Sequence, residues 1–304
     1  MRILLTGTGG QVGSALLPLL QSRATVAAPV RQELDLSRPG ELATRLDDLK
    51  PDLIVNPAAY TAVDRAEEEA ELAFRVNAEA PAAMAAWAAR HHVPLIHFSS
   101  DYVFNGSGRE PWREESATGP LSVYGSSKLD GDTAVAASGA PHLIVRTSWV
   151  YAASGANFLR TIARLAKERK ELRIVADQIG APTSAKTIAE AVASVTPSDR
   201  SGFDAVFRRQ NGVVNVVCAG ETSWYGFATA IVAGMRARGS DVAVESITPI
   251  RTDEFPTKAK RPANSRLSLD RLRKEFGIIT PAWEKALNYE LDVMMAHAQP
   301  SDRN

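Results

Sequence analysis

RILLTGTGGQVGSALLPLL, residues 2–20, reads as a short apolar strand, a glycine-rich turn and the opening of a helix. Gly7, Gly10 and Gly13 follow the strand in a G-x-x-G-x-x-G pattern. One glycine permits the tight turn, one lets backbone N–H groups approach a pyrophosphate, and one lets helix and strand pack closely. The helix N-terminus then favours the ligand's negative charge. Strand, turn and helix in this order predict a dinucleotide-binding unit at the start of the chain. Pro18 lacks the helical N–H and predicts a kink or an early end to the helix.

Four more apolar runs follow: TVAAP (25–29), DLIVN (52–56), VPLIHF (93–98) and HLIVRT (142–147). They are nearly continuous in Leu, Ile and Val, as expected of strands covered on both faces. Alanine-rich helical stretches such as PAAMAAWAARHH (81–92) separate them. The alternation predicts an α/β fold with a Rossmann-type doubly wound parallel sheet over residues 1–150. After 150 the pattern changes. NFLRTIARLAKERK (157–170) puts Phe158, Ile162 and Leu165 on one helix face. LRIV and VVNVV are further strand candidates, so parts of about 172–218 are expected to return to the sheet. The remainder of 151–304 is expected to form a smaller, mainly C-terminal α/β substrate domain. Residues 245–270, rich in Pro, Arg and Ser, read as functional loop. RAEEEAE (65–71) reads as a solvated acidic helix face, and HAQPSDRN (297–304) as a frayed tail.

The 304 residues are 45% apolar and 23% charged, with Lys+Arg and Asp+Glu in balance. That balance gives no electrostatic drive toward nucleic acid or an anionic membrane. No apolar run approaches the ~20 residues of a membrane span. Cys218 is the only cysteine, which excludes an intrachain disulfide. The apolar strand follows Met1 directly and leaves no room for a signal peptide, so a cytoplasmic enzyme is expected. His91, His92, His97, His142 and His297 show no metal spacing and read as structural or surface residues.

The residues after the second strand choose between nicotinamide cofactors: an acid there favours NAD, and an arginine accommodates the extra phosphate of NADP. In AAPVRQELDL (27–36) no carboxylate follows the strand directly and Arg31 is available. This leans toward NADPH and leaves NADH open, because an ordinary surface arginine would look the same. Asp35, with Leu36 beside it, is expected to face the adenine end.

VYGSSKLDGD (123–132) places Tyr124 and Lys128 four residues apart at the start of a helical pattern, Tyr124 just before it. Residues i and i+4 share a helix face. A phenol near pKa 10 works better as a general acid when a neighbouring ammonium lowers that value. Ser99 and Ser100 follow the fourth strand, at the edge where parallel sheets bind ligands, and supply a hydroxyl for a carbonyl. Glycine loop, serines and Tyr–Lys pair therefore have reason to meet.

Together these pieces resemble the extended short-chain dehydrogenase/reductase superfamily. SSDYVFNG (99–106), RTSWVY (146–151), DQIGAPT (177–183) and RPANSRL (261–267) resemble one branch, the dTDP-4-dehydrorhamnose reductases. NPAAYTAVDRAE (56–67) and VNAEAP (76–81) also fit, and the resemblance runs from residue 1 to about 290. It implies hydride transfer from a nicotinamide to C4 of dTDP-4-dehydro-6-deoxy-L-mannose, the last step of dTDP-L-rhamnose synthesis, which serves cell-surface polysaccharides. By the same resemblance Tyr124 gives the proton, Lys128 lowers its pKa and holds the ribose, and Ser100 polarises the carbonyl. Asp101 and Trp149 contact substrate. Gly10, Gln11 and Val12 lie under the pyrophosphate, and Ala59, Tyr60 and Thr61 run along the cofactor. Arg261 and Asn264 are assigned to the diphosphate and sugar.

Some members of the branch are associated with magnesium and a metal-linked dimer. Here Ala15 and Lys186 stand where acidic residues would be wanted. A bridging metal is therefore not expected, and a monomer or weak homodimer is. Two alternatives stay open: a reductase or epimerase of another 4-keto nucleotide sugar, and a non-catalytic nucleotide-binding regulatory subunit.

Overall fold

The computed structural model describes residues 1–208 and 211–296. The tail read as frayed, and His297 within it, lie outside the described residues. The first half runs β1 (Arg2–Leu5), α1 (Gln11–Gln21), β2 (Thr25–Ala27), α2 (Leu42–Leu49), β3 (Leu53–Asn56), α3 (Val63–Ala66), α4 (Ala70–Phe74), α5 (Ala80–His91), β4 (Leu95–Ser100), α6 (Val123–Ala137) and β5 (His142–Thr147). The second half runs β6 (Val150–Tyr151), α7 (Phe158–Glu168), β7 (Glu171–Val175), β8 (Ile179–Gly180), β9 (Thr183–Ser184), α8 (Ala185–Val195), β10 (Gly212–Asn215), β11 (Thr222–Ser223), α9 (Trp224–Ala237), β12 (Ser246–Ile250), α10 (Asp270–Phe276) and α11 (Trp283–Ala296).

Six strands form a parallel sheet in the order β10-β5-β4-β3-β1-β2. The order reverses between β1 and β3, which opens a crevice at the C-terminal strand ends. Alternate residues of each strand feed opposite layers. Ile3, Leu5, Leu53, Val55, Ile96 and Phe98 pack with Leu16 and Leu20 of α1 and Ile188 and Val192 of α8. Leu4, Ile54, Leu95 and Ile144 pack on the other face with Leu42 and Leu46 of α2, Met84 and Trp87 of α5 and Val135 of α6. Strands buried on both faces explain the unbroken apolar runs.

The second half contributes α8 and edge strand β10 to this body. LRIV stands apart from the sheet, because β7 pairs in parallel with β12. Thus part of the 245–270 stretch is strand rather than loop. A separate core joins Tyr151, Leu159 and Ile162 with Phe227, Ile231, Met235 and Leu291; Phe158 and Leu165 pack against it. Helix α1 continues through Pro18 to Gln21 instead of ending early. Ser14 and Pro18 are both exposed, so the turn that loses its hydrogen bond lies toward water, while Leu16 and Leu20 hold the other side in the core.

Candidate active site

The glycine turn is fixed by its own backbone. Gly10 N donates to Gly7 O at 2.9 Å. Gly7 has φ +62°, and a Cβ there would sit 2.9 Å from the Ala58 backbone. A Cβ on Gly13 would come within 2.2 Å of Gly7 O, so only glycine lets α1 close on the turn. Gly9 has nothing within 4 Å of a would-be Cβ, which leaves its backbone facing open space. That space belongs to a cleft of about 540 Å³. Gly7, Gly10, Arg31, Asp35, Leu36, Ala59 and Tyr60 all line it, as expected from the sequence. Gln11, Val12, Gly13 and Thr61 are not part of the lining. Gln11 instead accepts from Asn157 Nδ2 at 2.9 Å, and Val12 packs on the core.

Arg31 is mostly exposed, with Nε 3.5 Å from Asp35. Two arginines that the sequence reading passed over, Arg38 and Arg45, share a neighbouring hollow with it. Backbone, arginines and an open glycine face suit a dinucleotide diphosphate with an additional phosphate at the far end.

Ser99 and Ser100 are the last residues of β4 itself, one step earlier than the sequence suggested. Tyr124 lies inside α6 rather than before it: Ser122 caps the helix by accepting from Gly125 N. A Cβ on Gly125 would meet Tyr102 O at 2.3 Å, so glycine lets the first turn of α6 press against the 3-10 turn Asp101–Val103. This contact brings Tyr124 near Ser100, which favours the ionised phenol. Burial is the larger effect and, with Asp101 and Asp132 adding to it, pushes the phenol pKa up. Lys128, expected to lower that pKa, makes its own contacts toward β4. Its Nζ donates to Phe98 O at 2.6 Å and sits 3.3 Å from His97 Nε2. Burial draws Lys128 down to about 8, against the pull of Asp132.

Asp101 is buried, and its carboxyl is pushed up to about 6 by burial, partly offset by Ser265 and Ser100. Ser100 Oγ donates to its Oδ1 at 2.9 Å, while Oδ2 has no hydrogen-bond partner. Beneath this layer Asp132 accepts from Ser99 Oγ at 2.7 Å and pairs with Arg146 at 3.4 Å.

Trp149 adopts φ +49°, a backbone region costly for a bulky residue and found at functional sites. Its ring stacks on Trp224 with centroids 3.7 Å apart. Arg261 holds Asp64 of α3 with a two-pronged contact, Nη2–Oδ2 2.7 Å and Nη1–Oδ1 3.1 Å. Asn264 is buried with its amide occupied inside the chain: it donates to Glu110 O at 2.8 Å and accepts from Arg266. The structure therefore gathers Ser100, Asp101, Tyr124 and Lys128, but turns Arg261 and Asn264 toward structural partners.

Several residues that tie these parts together were not anticipated. Asn77 lies in a π-helical turn, Arg75–Glu79, a feature often found at functional sites. Its side chain accepts from Tyr60 N and donates to Tyr60 O and Ser127 Oγ, linking cofactor cleft to α6. The acidic run is not simply solvated. Glu67 accepts from Val123 N at the start of α6, and Glu69 accepts from the Tyr60 hydroxyl. The only sequence signal for Asn77 and Glu67 was their membership in stretches already matched to the reductase branch, and Glu69 carried none.

Residues 1–295 match the family model described as RmlD substrate binding domain. The chain belongs to that family. Within it, the dTDP-4-dehydrorhamnose reductase of Burkholderia thailandensis is 47% identical over 290 residues, covering 94% of this chain and 97% of that protein. The Escherichia coli enzyme of the same name is 41% identical over 288 residues, with 93% and 95% covered. The crystal structure of a dTDP-4-dehydrorhamnose reductase from Clostridium acetobutylicum superposes with a TM-score of 0.88 at 35% identity, covering 97% of this chain and all of that one. One from Bacillus anthracis, in complex with NADP, gives 0.85 at 31% identity, with 96% and 99% covered. The branch read from the sequence is thus the family found.

Proposed function

We propose that this chain is a cytoplasmic NADPH-dependent reductase of the C4 ketone of dTDP-4-dehydro-6-deoxy-L-mannose, forming dTDP-L-rhamnose. The observation that carries the chemistry is the Ser100–Tyr124 contact at the C-terminal end of β4, with Lys128 one helical turn below. Full-length relatives named for this reaction support the substrate. The NADP-bound relative and the arginines around Asp35 support the cofactor, with NADH as a weaker substitute.

Bound NADPH supplies the hydride. The protein's task is to hold the ketone and deliver one proton. Ser100 donates a hydrogen bond to the carbonyl oxygen and so favours charge developing there. Tyr124 then protonates the alkoxide. A phenol whose pKa is raised by burial is fully protonated at neutral pH, which suits an acid. Lys128 stays available as ammonium below its pKa of about 8, to stabilise the phenolate left behind and hold the ribose. Asp101 and the Trp149 ring supply a polar and a flat contact for the sugar. Arg261 reaches the diphosphate by exchanging its Asp64 partner for phosphate oxygens, both of which accept its forked donors. We also assign the cofactor to the first half of the chain and the sugar mainly to residues after 150.

Among the described residues no group of three or more His, Cys, Asp and Glu side chains converges as a metal site, and the proposed chemistry assigns none. Lys186, where a bridging acid would be wanted, pairs with Glu190, and we propose a monomer or weak homodimer. Among the described residues no helix is long and apolar enough to cross a membrane.

The deciding experiment follows reduced-cofactor absorbance with dTDP-4-dehydro-6-deoxy-L-mannose beside other 4-keto nucleotide sugars. Oxidation with the first, faster with NADPH than NADH, is expected. Oxidation only with another keto sugar moves the substrate, and none with any of them favours a binding subunit.

A further inference from the structure

Lys128 rests on an imidazole that the chemistry above does not use. His97 is fully buried in β4. Its Nε2 lies 3.3 Å from Lys128 Nζ and 3.9 Å from Asp132 Oδ1, a buried oxygen with no hydrogen-bond partner. Its Nδ1 lies 3.3 Å from the side-chain amide of Asn56 on β3. That amide meets the Thr6 hydroxyl at 2.6 Å, and Thr6 lines the cofactor cleft. An unbroken line of polar contacts therefore runs from Lys128 to the cleft wall.

The chemistry of this line allows few arrangements. Burial and the neighbouring Lys128 charge hold His97 neutral. A neutral imidazole offers one N–H and one lone pair, and an ammonium offers only N–H groups. A charged Lys128 therefore requires the lone pair at Nε2, the proton at Nδ1, and the Asn56 oxygen turned to Nδ1. An uncharged Lys128 accepts from Nε2–H, with Nδ1 accepting from the Asn56 NH₂. Thr6 serves both, because a hydroxyl donates or accepts. The two states differ in His97 tautomer and Asn56 orientation, with no change in backbone.

We propose that His97 is a positioning residue for the reduction, whose tautomer, set together with the Asn56 amide, follows the charge on Lys128 and holds its ammonium form in place. This rests on the reading of Lys128 as the charged helper of Tyr124. The charged and titratable groups around the pair are Asp132 and Tyr124 from α6, Arg146 from β5 through Asp132, and Asp101 just after β4. Activity needs the ammonium, so it falls as pH rises through the Lys128 pKa. Removing the Nε2 acceptor disfavours the ammonium and moves that alkaline limb to lower pH.

The test measures kcat/KM against pH for wild type, His97→Met, His97→Gln and Lys128→Met, with ¹⁵N NMR of the wild-type imidazole over the same range. His97→Met is expected to move the limb down by about one pH unit, the scale of one hydrogen bond to a charged group. His97→Gln, whose amide oxygen reaches the Nε2 position, is expected to move it back. The imidazole is expected as the Nδ1–H tautomer below the limb and the Nε2–H tautomer above it. An unmoved limb in a folded His97→Met, or one unchanged tautomer across the limb, overturns the inference. Lys128→Met that keeps wild-type turnover overturns the Tyr–Lys reading instead; the NMR titration needs no variant to fold and then decides the His97–Lys128 contact alone.

Discussion

At the cofactor cleft the charges face water: the Arg31 side chain is 73% exposed, with Asp35 28% exposed beside it. At the other end of the same sheet edge Lys128 is 2% exposed and Asp132 3%. The first region is shaped by backbone, the second by burial. In the cleft the glycines set the geometry and the arginines remain free to exchange water for phosphate at little cost. Around Tyr124 every charge has been taken out of water, so each shifts its neighbours' protonation. Binding can tolerate the first arrangement; proton transfer needs the second. Substitutions in the two regions should therefore separate affinity from rate.

The largest effect is expected at the buried end. Tyr124→Phe removes the proposed proton donor and leaves the ring packed edge-on against Tyr102, 5.3 Å between centroids. It should fold as wild type and bind NADPH unchanged, yet lose about 10²–10⁴ in kcat. Steady-state turnover near the wild-type rate would show that another group supplies the proton, and the contrast between the regions would collapse.

Asp101→Asn tests whether burial is held at a cost to the fold. The carboxyl lies at about 6 in the folded chain, above its ordinary 3.8. A raised folded pKa gives stability that is full below the unfolded value and is lost as pH rises through the folded one. Between roughly 3.8 and 6 that loss amounts to about 2–3 kcal/mol. Asparagine carries no such penalty. Urea denaturation should find the variant more stable than wild type at pH 7 and equal to it near pH 4, while the KM for the sugar rises. Equal stability at both pH values would mean that Asp101 stays ionised without penalty.

The difference between the regions also explains what the sequence disclosed. Gly10 and Gly13 are legible because their requirement is local: a Cβ on either would strike Gly7, a few residues away, while Gly7 shows through the spacing it shares with them. Four of the five apolar runs are legible because burial on both faces leaves no polar alternation to confuse them; the fifth, β2, is a part-exposed edge strand. Tyr124 and Ser100 could be paired only because strand ends and helix starts share an edge. The supports could not. Glu67 reaches Val123 across 56 residues, and Asp64 reaches Arg261 across 197. Nothing in RAEEEAE distinguishes Glu67 and Glu69 from solvated neighbours until the chain folds. His97 was set aside for lack of metal spacing, but its partners are a lysine and an amide rather than a metal. Arg261 and Asn264 show the converse, since a motif can mark a position without showing which way its side chain turns.

The smallest effect, and the sharpest check on the exposed region, is expected from Arg31→Ala. An exposed pair such as Arg31–Asp35 contributes little to stability, so the melting temperature should not move. In the proposed reading the guanidinium meets the extra phosphate of NADPH and makes charge-assisted bonds that NADH cannot offer. Losing one such contact should raise the KM for NADPH about tenfold, equivalent to about 1.4 kcal/mol, and leave that for NADH unchanged. The effect should shrink as salt is added, because screening acts on exposed charges and spares buried ones. Arg38 and Arg45 share the hollow, so Arg31→Ala should weaken the preference for NADPH without reversing it. If KM values measured for both cofactors at low and high salt rise together, Arg31 acts on the shared part of the dinucleotide. The discrimination then belongs to Arg38 and Arg45, still at the exposed end of the cleft and still separate from the rate set at Tyr124.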